Sequence, residues 1–341
     1  MQQRNVSIEA FRFFFMVNLC LWHMEESIHF QYHGYLVVEF FFMLSGVLLY
    51  RSFLRHPEIG NLEYTVRKVK RFWIEYFIAM VLTFFMYYRG IFEKVSVQSN
   101  TAFEKGFNFT LQLITDSLMI RGGIFLPMGN WPTWYLSVLL IGGAIIYALL
   151  KNYHRQSITL FLPLACLIIY GYFFPQGKEQ HIENWDTING FSMPIVRGVA
   201  EMGTGVLLYR LFIQKKATII AHHLLLNWLS AISLVILILM MVLPEFRDAY
   251  VIVFMPVFIM GLLYEDSWWN KMFKSRVWLF LGGLTYEMLL VHMFVRGPLV
   301  NFSVHEWMNP WLMGALYITI VLVLSYLLKQ LGASICKRIG W

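Results

Sequence analysis

The chain has 341 residues, 58% hydrophobic and only 14% charged, where an average soluble domain carries roughly 25% charged residues. That balance excludes an ordinary water-soluble domain. The net charge of +7 does not single out nucleic acid as a partner, because a basic excess in a membrane protein collects in cytoplasmic loops.

The apolar residues fall in about ten runs, each long enough to cross a ~30 Å hydrocarbon core at ~1.5 Å per residue. Continuous runs rather than ten-residue alternations predict helices, not a β-barrel. The fold class expected is all-α: a polytopic helical membrane bundle of about ten transmembrane helices, forming a single domain over 1–341 with no separate soluble domain. The predicted spans are 8–28, 34–54, 72–88, 133–150, 157–174, 192–213, 221–243, 249–264, 277–296 and 311–331. The first is read as a span rather than a cleavable signal, since it carries Glu9 and Arg12 where a signal needs an apolar core. Placing both termini in the cytoplasm puts 18 of the 27 Lys and Arg residues on inner segments, so the positive-inside rule predicts cytoplasmic termini. Residues 110–120, inside the long connection after the third span, are too few and too mixed to cross and predict a short interfacial or re-entrant helix. Cys20, Cys166 and Cys336 lie far apart with no paired spacing, which predicts free thiols and no metal site.

Ionisable residues inside membrane spans are costly and mark the places where function should be sought. On the first span Glu9, Arg12 and His23 fall on one stripe about 60° wide at ~100° per residue, with Arg12 and His23 about 16 Å apart along the axis. Such a stripe suits a reaction whose two substrates arrive from opposite sides; the structural alternative is a Glu9–Arg12 ion pair with His23 bonding to a neighbouring helix. A neutral imidazole, with an ordinary pKa near ~6.5, is well matched to taking a proton from a hydroxyl. Arg67, Lys68 and Arg71 precede the third span, and Arg67 and Arg71 share a helix face. They read either as an anion grip or as a lipid-headgroup contact. Arg197 and Glu201, at i and i+4 on the sixth span, read first as a structural pair. Thr285, His292 and Arg296 lie along one side of the ninth span.

These residues resemble the acyltransferase-3 family of integral membrane O-acyltransferases, including bacterial polysaccharide O-acetyltransferases. The match starts at Ile8, Glu9, Ala10, Phe11 and Arg12, with His23 at the family's arginine–histidine spacing. It continues through the aromatic run from Glu39 to Ser45 and Gly46, then the basic group Arg67, Lys68 and Arg71. The segment GGIFLPMGNWPTWYLS, from Gly122 to Ser137 with Trp134 and Tyr135, resembles the family's glycine-rich stretch and helix start, although Val138 and Leu139 follow where one branch has a glutamate. Arg197 to Gly205 through Glu201, and GGLTYEMLLVH from Gly282 to His292 through Thr285, complete six motifs in order.

The resemblance implies transfer of an acyl group, most often acetyl from cytoplasmic acetyl-CoA, to a hydroxyl of an extracytoplasmic or lipid-linked carbohydrate. On that basis Arg67, Lys68 and Arg71 are expected to hold the CoA phosphates at the inner face while the pantetheine arm enters beside Arg12. His23 is expected as general base or as transient acyl carrier, with Glu9 and Arg12 positioning reactants or steadying the oxyanion. Glu39, Ser45, Trp134, Tyr135, Ser137, Arg197, Glu201, Thr285 and His292 are polar or aromatic candidates for substrate contact or structure. Expected partners are membrane lipids and a carbohydrate or glycolipid acceptor, not nucleic acid; the expected location is a bacterial inner membrane. The rival reading is a secondary transporter or flippase, since intramembrane charges also line solute pathways.

Overall fold

The computed structural model describes residues 5–24, 32–97, 101–120, 131–173, 187–188, 191–243, 246–301 and 308–340. In chain order the helices are α1 (Val6–Trp22), α2 (Val37–Arg55), α3 (Asn61–Val97), α4 (Ala102–Ser117), α5 (Trp134–Gln156), α6 (Leu162–Phe173), α7 (Met193–Gln214), α8 (Lys216–Ala221), α9 (His223–Val242), α10 (Val251–Leu263), α11 (Trp268–Met272), α12 (Val277–Gly282), α13 (Thr285–Asn301) and α14 (Pro310–Ile339). One antiparallel pair, β1 (Thr187–Ile188) and β2 (Phe191–Ser192), precedes α7. Among the described residues, each predicted span falls mostly on helix. Four of the described stretches are long and apolar enough to cross a membrane: Gly34–Arg55, Trp134–Tyr172, His223–Val242 and Pro310–Ile339. The other predicted spans fall on helices that are short, broken or charged: α1 has 17 residues and carries Glu9 and Arg12, and α7 carries Arg197 and Glu201.

Three differences from the sequence reading have local causes. The expected loop at 151–156 is helical, but Tyr153 leaves helical geometry (φ −139°, ψ 47°), and a π-helical turn, Ser157–Phe161, leads into α6. Ser157 Oγ donates to Leu149 O at 2.7 Å. Eight residues span ~12 Å in a straight helix, so this bond requires the chain to bend back. The predicted span 277–296 is two helices, because α12 stops at Gly282 and α13 starts at Thr285. The interfacial element begins earlier than expected, where Thr101 and Glu104 form a reciprocal capping box that starts α4.

The chain divides into two compact units, residues 1–61 with 142–285, and 62–141 with 286–341. In the first unit, α1 is started by Asn5, whose side chain accepts from Ile8 N at 3.1 Å and donates to Leu262 O at 2.9 Å. Its buried face enters an aromatic core in which Phe11 and Phe258 lie 4.8 Å apart edge to face, as do Phe15 and Phe40. The seam between α2 and α7 is closer still. A Cβ on Gly46 would lie 1.9 Å from Met202 O, and one on Gly205 the same distance from Met43 O. Only glycine lets two backbones meet in this way, as is common where helices pack in membranes. Cys166 on α6 donates to Ala200 O at 3.3 Å, adding a third helix to the layer.

In the second unit, Trp73 Nε1 donates to Ser117 O at 2.9 Å and Tyr76 Oη to Asp116 O at 2.8 Å, pinning the end of α4 to α3. Phe103, Phe107, Leu111, Ile114 and Leu118 form an exposed apolar stripe at helical spacing along α4, the pattern of a helix lying at a membrane interface. Tyr286 Oη donates to Phe72 O at 2.5 Å, and Lys329 pairs with Glu287 at 3.4 Å, tying α3, α13 and α14 together.

Candidate active site

The first polar centre lies where α1 meets the break between α12 and α13. Arg12 donates to Glu9 Oε2 at 2.8 Å and to Thr285 Oγ1 at 2.9 Å, and Thr285 in turn donates to Gly282 O at 3.0 Å. Glu9 is buried while Arg12 keeps a quarter of its side chain exposed. Gly282 makes the approach possible: a Cβ there would sit 2.3 Å from Glu9 O and 2.7 Å from its Oε2. The guanidinium has five N–H donors in a rigid fork; two of them are committed here, so the group is fixed in direction and its charge is balanced by Glu9. The Glu9–Arg12 ion pair of the structural alternative is present, and Thr285, which helical spacing grouped with His292, reaches Arg12.

His23 stands at the other end of α1, as its C-cap. Its Nδ1 lies 2.9 Å from Leu19 O. A carbonyl only accepts hydrogen bonds, so Nδ1 carries the hydrogen and Nε2 is the basic nitrogen of the neutral ring. Eleven residues, about 16 Å of helix rise, separate His23 from Arg12, too far for both side chains to act on one carbonyl. The sequence reading missed the group beside His23. Trp22 packs edge-on against both the His23 ring (4.6 Å) and the Tyr35 ring (5.3 Å). The Tyr35 hydroxyl donates to the buried carboxylate of Asp248, which also faces His33 Nδ1 at 3.4 Å. His33 stands just before one predicted span and Asp248 just before another, where a polar residue signals only a helix boundary.

Arg197 is the hub of a second buried centre. It donates through Nε to Glu201 Oε1 at 2.6 Å and through a terminal nitrogen to Glu39 Oε1, so the expected i,i+4 pair has a third member from α2. Ser45 lies on α2 as well and returns its hydroxyl to Phe41 O at 2.7 Å.

The basic group lies in the first turns of α3, in the other unit. Arg67 is exposed and pairs with Glu63 at 2.5 Å. Lys68 lies over the Tyr64 ring (5.6 Å) and Arg71 over the Phe72 ring (5.5 Å). Burial, with the Arg71 guanidinium beside it, lowers the Lys68 ammonium from its ordinary value to about 8. Two neighbouring cations on a partly dehydrated helix face favour an anion between them. In this unit Trp134 and Ser137 are buried at the start of α5, with Tyr135 half-buried. His292 is fully buried, its Nδ1 within 3.1 Å of Met288 O and 2.9 Å of Leu289 O, and its own carbonyl accepts from Tyr317. The glycine-rich stretch from Gly122 to Asn130 lies outside the described residues. Cys20, Cys166 and Cys336 are free thiols.

No curated protein and no solved structure matches the chain. The acyltransferase-3 family model, described as an acyltransferase domain, matches residues 5–330. That match runs from the cap of α1 into α14 and takes in the Arg12, His23, Lys68 and Arg197 centres alike. With its apolar helices, the chain is a membrane protein and belongs to the acyltransferase-3 family.

Proposed function

We propose that the protein moves an acetyl group from cytoplasmic acetyl-CoA to a hydroxyl of an extracytoplasmic or lipid-linked carbohydrate in a bacterial inner membrane, with both of its termini in the cytoplasm. The observation that carries this reading is the state of His23, whose Nδ1–H is held by Leu19 O so that Nε2 is the nitrogen able to take a proton. In the step proposed, His23 Nε2 removes the hydroxyl proton as the oxygen attacks the thioester carbonyl. The C–S bond then breaks, and the proton passes from His23 to the departing sulfur, giving the ester and free CoA. Lys68 and Arg71 hold the donor's phosphates, and Arg12, braced by Glu9 and Thr285, positions the donor.

The reading is supported by family membership and by the separation of Arg12 from His23 along one helix, which suits two substrates of opposite origin. It is tested in membranes given acetyl-labelled CoA, following base-labile label in the carbohydrate fraction together with release of free thiol. His23→Ala is expected to abolish both while the protein still inserts and stays folded. Turnover retained in that variant overturns the assignment, and solute movement without thioester consumption overturns the reaction class.

A further inference from the structure

We infer that Glu39 and Glu201 share one proton across Arg197, so the seam between α2 and α7 contains a proton-binding site separate from the transfer chemistry. The geometry carries it. Arg197, Glu39 and Glu201 are 3%, 0% and 1% exposed. Each carboxyl places its Oε1 on the guanidinium, Glu201 through Nε at 2.6 Å and Glu39 through a terminal nitrogen. The remaining oxygens, Oε2 of both residues, are fully buried and meet no donor from the described residues, and one guanidinium holds both carboxyl groups.

Fully ionised, the group would hold two negative charges against one positive charge in a site closed to bulk solvent, and buried charge without compensation is strongly disfavoured. A single proton shared by the two carboxyl groups resolves both defects. It makes the centre neutral and supplies the missing donor, one carboxyl giving and the other accepting. Among the described residues, Arg197 and Glu39 are charged groups that act on Glu201. From α6, the Tyr170 hydroxyl pairs with Thr204 at 2.9 Å and the Cys166 thiol donates to Ala200 O. Helix α10 over Val251–Leu263 carries no titratable side chain, and on α1 Glu9 and Arg12 neutralise one another. A small monovalent cation bridging the Oε2 atoms is the competing occupant, and the experiment below separates the two.

The test uses the full chain in lipid nanodiscs and infrared difference spectroscopy in H2O and D2O. The wild type is expected to show the carbonyl stretch of a protonated carboxylic acid, shifting on deuteration and on ¹³C-glutamate labelling. That band should vanish in Glu39→Gln and in Glu201→Gln alike, because each leaves one carboxylate facing Arg197 and supplies an amide N–H in place of the proton. Each single variant should accumulate to within about twofold of wild type, whereas Glu39→Gln with Glu201→Gln strands a buried cation and should lower folded yield by about tenfold or more. Absence of the acid band from the labelled wild type overturns the proposal, as does its persistence in both single variants, or a carboxylate signal that instead follows sodium concentration. The wild-type spectrum decides even if a variant fails to fold, and no outcome depends on acyl transfer.

Discussion

Arg12 on α1 donates to Thr285 Oγ1 at 2.9 Å, joining two residues 273 positions apart at the head of α13. The threonine holds one arm of the fork while Glu9 holds another, so the guanidinium cannot swing. Thr285→Val keeps the shape and removes the acceptor. A hydrogen bond to a charged group contributes about 1.5–3 kcal/mol, so the donor's kcat/KM should fall by about tenfold or more, whereas Thr285→Ser should retain it. Steady-state kinetics with labelled acetyl-CoA check this, and wild-type values in the valine variant would refute it.

Lys68 gives a pH signature. Its ammonium is lowered to about 8, so its charge is present below that pH and lost as pH rises through it. If Lys68 and Arg71 hold the donor's phosphates, CoA affinity should decline between about pH 7 and 9, and Lys68→Arg, which stays charged throughout, should flatten that decline. CoA titrations followed by calorimetry across this range are the measurement. An identical pH profile in wild type and Lys68→Arg would move the anion elsewhere.

The glycine seam predicts a sharp positional contrast. Gly46→Ala or Gly205→Ala drives a methyl into a backbone carbonyl and should destabilise by the upper end of ~1–3 kcal/mol or beyond. A methyl on Gly171 of α6 would meet nothing within 4 Å, so Gly171→Ala should be neutral or stabilise by roughly 0.5–1 kcal/mol. Thermal midpoints in one detergent compare the three.

Tyr35→Phe removes the hydroxyl that bonds the buried Asp248 carboxylate, at an expected cost of about 1.5–3 kcal/mol. Because Tyr35 also packs on Trp22, which packs on His23, turnover should fall along with stability. Denaturant midpoints and turnover measured on the same preparation test the pairing, and unchanged stability would show that the bond contributes nothing.

Helix positions were legible because long apolar runs announce themselves: the span expected at 192–213 is Met193–Gln214, and that at 221–243 is His223–Val242. The break before Thr285 was not, since its flanks are as apolar as a continuous helix. The same division applies to the centres. Glu9–Arg12 and Arg197–Glu201 are three and four residues apart, and helical geometry alone brings such neighbours together. Glu39 joins Arg197 from 158 positions away, a meeting that depends on how α2 and α7 pack. The Asp248 group was hidden for the same reason, its members being scattered single polar residues at helix ends. Grouping Arg67 with Arg71 by helix face leaves out Glu63, one turn earlier, which pairs with Arg67.

At the crossing of Gly46 with Met202 and Gly205 with Met43, main chain rests on main chain. Sliding between helices ordinarily proceeds by side chains hopping from one rotamer to another, and at this contact there is no layer of side chains to hop. Helices α2 and α7 are therefore expected to move together, as a single rod.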